Sequence, residues 1–187
     1  MLAIYDEYRA SEDIDLYDPN AEDVGNEHEE EMAEKLAKRL NDKGFEIKAR
    51  HKNNLYVGPS IKLDVFNNGV FYRSINKKDF DQIKVLLFDI QTYADMKIHS
   101  LLCRSFYDAR DLVDLFIIKK ETGCELSFPS LDCDIIEKRY EERLREIKKT
   151  TKEDLFVFQT RKQINELPYE ELDEFRRWIY EWLSEFC

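Results

Sequence analysis

Glycine and proline are scarce, five and four in 187 residues, and no two of either are adjacent. A chain so poor in both has no low-complexity segment and no long flexible linker. No apolar run approaches the roughly 20 residues of a membrane span. The N-terminus lacks the basic-then-apolar layout of a signal peptide. Four cysteines, Cys103, Cys124, Cys133 and Cys187, form no C-x-x-C pair. Free thiols in a reducing cytoplasm are therefore expected rather than a disulfide framework. Histidine is limited to His28, His51 and His99. His99 and Cys103 stand four apart on an expected helix, but no other soft ligand clusters nearby, so packing is the default reading over a metal pair. Excess positive charge is missing too: 29 Lys and Arg face 40 Asp and Glu, for a net charge of −11. That balance argues against broad non-specific binding to nucleic acid or anionic membrane, while leaving room for a local basic groove.

What is present is enough apolar material for a core, 43% hydrophobic and 13% aromatic residues, under a surface that is 37% charged overall. The length suits one full domain, or one domain and a small second one. The first eight residues, Met1 to Tyr8, read as helix, and Asp13 to Tyr17 alternates as a strand. Met32, Leu36 and Leu40 recur at spacing four, predicting a helix over Glu27 to Asn41 that Gly44 stops. Its run EHEEEMAEK reads as a solvated helix face. Short strands are expected over Phe45–Arg50, Leu55–Val57 and Ile61–Phe66, then a turn at Asn67–Gly69, a return strand Val70–Ser74 and another at Val85–Phe88. Asp89 is placed to cap a helix reaching about Phe106. A second helix runs from about Asp108 to Lys120 and stops near Gly123. Beyond residue 127 three helices are expected, Asp132–Lys149, Lys152–Glu166 and Tyr169–Phe186. The fold class is thus α+β, with residues 1–126 as one domain and a helical bundle over residues 127–187.

The stretch YRASEDIDLYDP, Tyr8 to Pro19, sets four acids around two apolar residues. On a strand, positions two apart share a face at about 6–7 Å. Asp13 and Asp15 therefore point together, with Ile14 and Leu16 toward the core. Two carboxylates so spaced suit a hard divalent cation, Mg²⁺ or Mn²⁺; a polar strand face near a turn is the plainer alternative. In IKLDVF, Asp64 lies on the face opposite Ile61, Leu63 and Val65. If that strand neighbours the first, three carboxylates converge, and three such charges repel unless a cation neutralises them. Further on, Lys97 and Arg104 are seven apart, on one face and about 10 Å from each other along a helix axis. Two cations so placed suit a phosphate-rich ligand. On the next helix Arg110, Asp111 and Asp114 sit at spacings that also serve to brace one helix against another.

Two blocks of these residues carry a resemblance. Arg9, Ser11, Asp13, Ile14, Asp15 and Leu16 resemble the R-x-S-x-D-I-D-L signature of the AbiEii-type nucleotidyltransferases, the toxin halves of abortive-infection toxin–antitoxin pairs. Lys97, His99, Leu101 and Arg104, followed by Arg110, Asp111, Asp114 and Leu115, resemble that family's K-x-H-x-L-x-x-R … R-D-x-x-D-L block. Asp64 falls where the family has its third acid. The resemblance covers about residues 1 to 120. It implies a polymerase-β-like nucleotidyltransferase fold that moves a nucleotide from an NTP to an acceptor, in some members the 3′ end of tRNA. By the same resemblance Asp13, Asp15 and Asp64 are implied metal ligands for Mg²⁺ or Mn²⁺. Lys97, with Ser11 and Arg104, is implied to bind NTP, and Asp64 or Asp114 to act as third acid or general base. A cognate antitoxin is the implied protein partner.

One part of the pattern is absent. The family carries a Gly-Gly-Thr or Gly-Gly-Ser turn before the helix leading into D-x-D, whose backbone N–H groups approach the triphosphate. This sequence starts at Met1 inside that helix and holds no Gly-Gly pair. The expectation is an N-terminally truncated fold with weak or no transfer even when metal is bound. A rival reading of another class is a catalytically degenerate fold acting through protein contact, for which the aromatic last helix, with Trp178, Tyr180, Trp182 and Phe186, offers a surface. A third, a tRNA-binding module without chemistry, rests on KKTTK and on Arg161–Lys162.

Overall fold

The computed structural model describes residues 13–17, 26–59, 61–66, 75–80, 83–128, 133–156 and 168–185. The helix expected over Met1–Tyr8, the return strand Val70–Ser74, Ser11 and Phe186 lie outside them. Contacts divide the chain into two compact units, one holding the first four strands and the first helix, the other everything from the fifth strand on. Residue 127, read from the sequence as the start of a helical back half, falls inside the second unit.

In the first unit β1 (Asp13–Tyr17), β2 (Ile47–His51), β3 (Asn54–Val57) and β4 (Ile61–Phe66) form a mixed sheet in the order β1-β4-β3-β2. β1 runs parallel to β4, and the two remaining pairs are antiparallel. Helix α1 (Asn26–Asp42) lays Met32, Ala33, Leu36, Ala37 and Leu40 on the sheet face formed by Leu16, Ile47, Leu55, Val57, Leu63 and Val65. These positions recur every three to four residues on the helix and every two on the strands, so one apolar face of each meets the other. α1 stops at Gly44, whose φ of +86° lets the Phe45 N–H reach back to the Leu40 carbonyl at 3.0 Å. Ile14, expected in the core, is 51% exposed. Among the described residues β1 has a strand on one side only, so its first apolar position lacks the cover that Leu16 has.

The second unit opens with a hairpin of β5 (Ile75–Phe80) and β6 (Ile83–Phe88). β5 was not read from the sequence, because Lys77, Lys78 and Asp79 in succession break the apolar alternation. Helices follow: α2 (Ile90–Cys103), α3 (Ala109–Thr122), α4 (Cys133–Lys149), the short α5 (Lys152–Phe156) and α6 (Tyr169–Ser184). Asp89 caps α2 by accepting from the Thr92 N–H, and Asp108 caps α3 by accepting from the Arg110 N–H. Gly123 ends α3 at a φ of +65°. α2 ends at Cys103, one residue before Arg104 and short of the expected Phe106. α3 is buried along most of its length, from Leu112 to Ile118, which makes it the centre of this core, with α2, α5 and α6 against it and α4 packed on α2 and α6. Phe175, Trp178 and Trp182 form a ladder on α6. The two indoles stack at 5.9 Å, and Lys119 of α3 lies 4.7 Å from the Trp178 ring. Among the described residues no helix is long and apolar enough to cross a membrane.

Two arginines of α4 close the end of α2. Arg139 donates to the Cys103 and Arg104 carbonyls, and Arg143, almost fully buried, donates to the Arg104 carbonyl at 2.6 Å and pairs with Glu146. The last carbonyls of a helix have no partner within it, so these cations satisfy groups that burial would otherwise leave bare. Arg143→Met is expected to destabilise the protein by about 1–3 kcal/mol in urea unfolding, the scale for a lost charge-assisted hydrogen bond. A loss near zero would show that Arg139 caps α2 by itself.

Candidate functional site

The parallel pairing of β1 with β4 sets Asp15 opposite Asp64 and Asp13 opposite Lys62. Partner positions in a sheet share a face, so Asp15 and Asp64 stand side by side on the face away from α1. β4 is thus the neighbour that the convergence of the first-unit acids requires. Asp15 is exposed, whereas Asp64 is buried, and the Asp13 side chain lies outside the described part. Asp64 is held at both oxygens: Asn54 of β3 donates to Oδ1 at 2.6 Å, and the Lys62 ammonium bonds Oδ2. Neither partner was singled out from the sequence. For Lys62 the signal was there, since it stands two before Asp64 on one strand face; Asn54 is set by the β3–β4 register. Among the described residues no group of three or more His, Cys, Asp or Glu side chains forms a metal cage.

In the second unit α2 and α3 bring three cations and three carboxylates together. The Lys97 ammonium is 2.6 Å from Asp114 Oδ2 and 3.4 Å from Asp111 Oδ1. Arg104 lies 3.2 Å from Asp111 and 3.4 Å from Asp108, which Arg110 also meets at 3.0 Å. Asp111 and Asp114 are fully buried, while the Lys97 side chain keeps 15% of its surface in solvent. Burial by itself pulls the Lys97 pKa down, but the negative charges of Asp114 and Asp111 outweigh it and hold the ammonium above the ordinary lysine range. Burial pushes the Asp111 carboxyl up, against the pull of Lys97 and Arg104. Lys97 and Arg104, read as two cations on one helix face, thus both turn toward Asp111. Arg104 does so from the residue that ends α2. His99 and Cys103 are half-buried. Burial lowers the imidazole pKa and raises that of the thiol.

Other polar groups of this unit escaped the sequence reading. Buried Asp95 accepts from Gln91 at 3.1 Å and Ser127 at 3.2 Å, and Gln91 accepts from the Cys124 thiol, tying the segment after α3 to α2. An open pocket lined by Tyr107, Asp108, Glu146, Lys149 and Thr150 contains none of the residues expected in the site.

Comparison with protein families matches residues 1–178 to the family described as nucleotidyl transferase AbiEii toxin, type IV toxin–antitoxin system. The chain belongs to the AbiEii family. Comparisons with curated proteins and with solved structures find no match. An AbiEii chain is a nucleotidyltransferase toxin of a type IV toxin–antitoxin system, with a cognate antitoxin as its implied counterpart. The match embraces both blocks, Arg9–Leu16 and Lys97–Leu115, and most of the helical part behind them.

Proposed function

We propose that this AbiEii chain has a polymerase-β-like fold and transfers a nucleotide from an NTP to an RNA acceptor, with the 3′ end of tRNA as its substrate class, using Mg²⁺ or Mn²⁺. The observation that carries this reading is the pairing of Asp15 with Asp64 on adjacent parallel strands of an AbiEii chain. The donor set fits the cation: carboxylate oxygens are hard ligands, and Asp15 stands at an exposed strand position. Asp13 and Asp15 would hold the metal, with Asp64 as third acid. A bound divalent cation would neutralise triphosphate charge and fix its orientation. By the family resemblance Lys97, Ser11 and Arg104 would be the NTP contacts, with Asp114 holding Lys97 through their ion pair.

A divalent cation that binds only the folded chain adds stability by mass action, about 2.7 kcal/mol at one hundred times Kd. Mg²⁺ or Mn²⁺ is therefore expected to raise Tm in a thermal melt, and Asp13→Asn with Asp15→Asn is expected to abolish the gain. An equal metal response in the parent and the double variant would overturn the assignment. The second reading, a catalytically degenerate fold acting through protein contact, is favoured by one observation: both oxygens of Asp64 are already bonded within the chain.

A further inference from the structure

We infer that Lys62 is a built-in competitor of the divalent cation: it neutralises Asp64 while the metal is away and must leave that carboxylate before the metal can use it. This rests on the reading that Asp13 and Asp15 hold a cation, and goes beyond it to the state of the site without one. Lys62 and Asp64 stand two apart on one face of β4, and the ammonium bonds Oδ2. Asn54 takes the other oxygen at 2.6 Å, so both Asp64 oxygens are already engaged within the chain. The Asp64 side chain is 8% exposed, and a carboxylate so buried needs a partner charge. Lys62 supplies it from a side chain that is one-third exposed, on a four-carbon stem able to swing outward.

The pairing register sharpens the competition. Lys62 stands opposite Asp13, and Asp64 opposite Asp15. A cation between positions 13 and 15 of β1 is therefore close to the Lys62 ammonium, and two positive centres there repel. While Lys62 holds Asp64, the pair contributes no net charge and the metal relies on β1. Once Lys62 moves away, Asp64 joins as a third anionic ligand. The first unit thus carries its own stand-in for the metal charge, which keeps buried Asp64 folded without metal and weakens metal binding.

The test is isothermal titration with Mn²⁺ of the whole chain and a set of variants, with circular dichroism to confirm folding. Lys62→Met is expected to bind Mn²⁺ about tenfold tighter, because a positive charge is removed and a carboxylate released. Lys62→Gln, which keeps a donor for Asp64, is expected to tighten binding in the same direction and serves if the Met variant does not fold. Adding Asp64→Asn to Lys62→Met should return the affinity to within about twofold of the parent, since the third ligand is then gone. Unchanged or weaker binding by both Lys62 variants overturns the inference. So does a gain that survives Asp64→Asn, since it would reflect charge removal alone. Mn²⁺ binding that persists after Asp13→Asn with Asp15→Asn would instead defeat the assignment of the metal to β1, a distinct result.

Discussion

Replacing Lys97 by Met is expected to destabilise the second unit by about 3–5 kcal/mol at about pH 7.5, the scale for removing one partner of a buried ion pair. Lys97 pairs with Asp114 at 2.6 Å and, among the described residues, shares Asp111 with Arg104, and both carboxylates are fully buried. The loss should depend on pH. Burial already raises the Asp111 carboxyl above its ordinary value, and removing Lys97 raises it further. A carboxyl raised in the folded state holds its proton more tightly there. Its stabilising contribution is complete below the unfolded pKa and is lost as pH rises through the folded one. The deficit should therefore shrink as the pH is lowered toward about 5. Both tryptophans lie on α6 in the same unit, so urea unfolding followed by their fluorescence reports on the right core. Exchanging Asp114 for Leu as well should recover part of the loss, because no buried charge is then left without its partner. A deficit below about 1 kcal/mol, the ordinary scale of an exposed pair, would show that solvent rather than Lys97 compensates these acids.

The second large effect is on chemistry. Asp15→Asn is expected to lower the rate of nucleotide transfer by at least about 10²–10³-fold, the scale for losing one group that stabilises charge in the transition state. Its stability should stay within about 0.5 kcal/mol of the parent, as for an exposed position outside the core. The assay incubates the protein with Mg²⁺, each labelled NTP and total tRNA, and reads labelled RNA. Incubations should be long enough to read a variant slowed about 10³-fold. Glu31→Gln, on the solvent face of α1, serves as the control whose rate should not change. Equal labelling by the parent and the Asp15 variant would remove Asp15 from the site, while a normal rate with a collapsed Tm would point to a structural role.

These two experiments address residues whose legibility in the sequence differs. Asp13 and Asp15 were marked by strand alternation and by a signature that also announced the family. Asp89, Asp108, Gly44 and Gly123 were legible as helix boundaries, because a cap depends on residues within one turn of itself. The stripe on α1 was legible for the same reason, since a 3.6-residue period is a local property. β5 was not, because a hairpin strand with three charged residues in a row is decided by hydrogen bonds to β6, not by its own pattern.

The sequence by itself determined the family, the alternation that faces Asp13 with Asp15 and Lys62 with Asp64, and most helix limits, all of them set by neighbours a few positions apart. Tertiary structure alone decided which charges meet. Asp15 lies beside Asp64, 49 residues on, because packing Leu16, Leu63 and Val65 under α1 fixes the register of β1 on β4. A slip of one residue would turn every acid toward the core. Likewise Lys97 could be placed on a helix face from its spacing. That it spends its charge on Asp111 and Asp114 follows only from the packing of α2 against α3, where a buried carboxylate must find its cation within the protein.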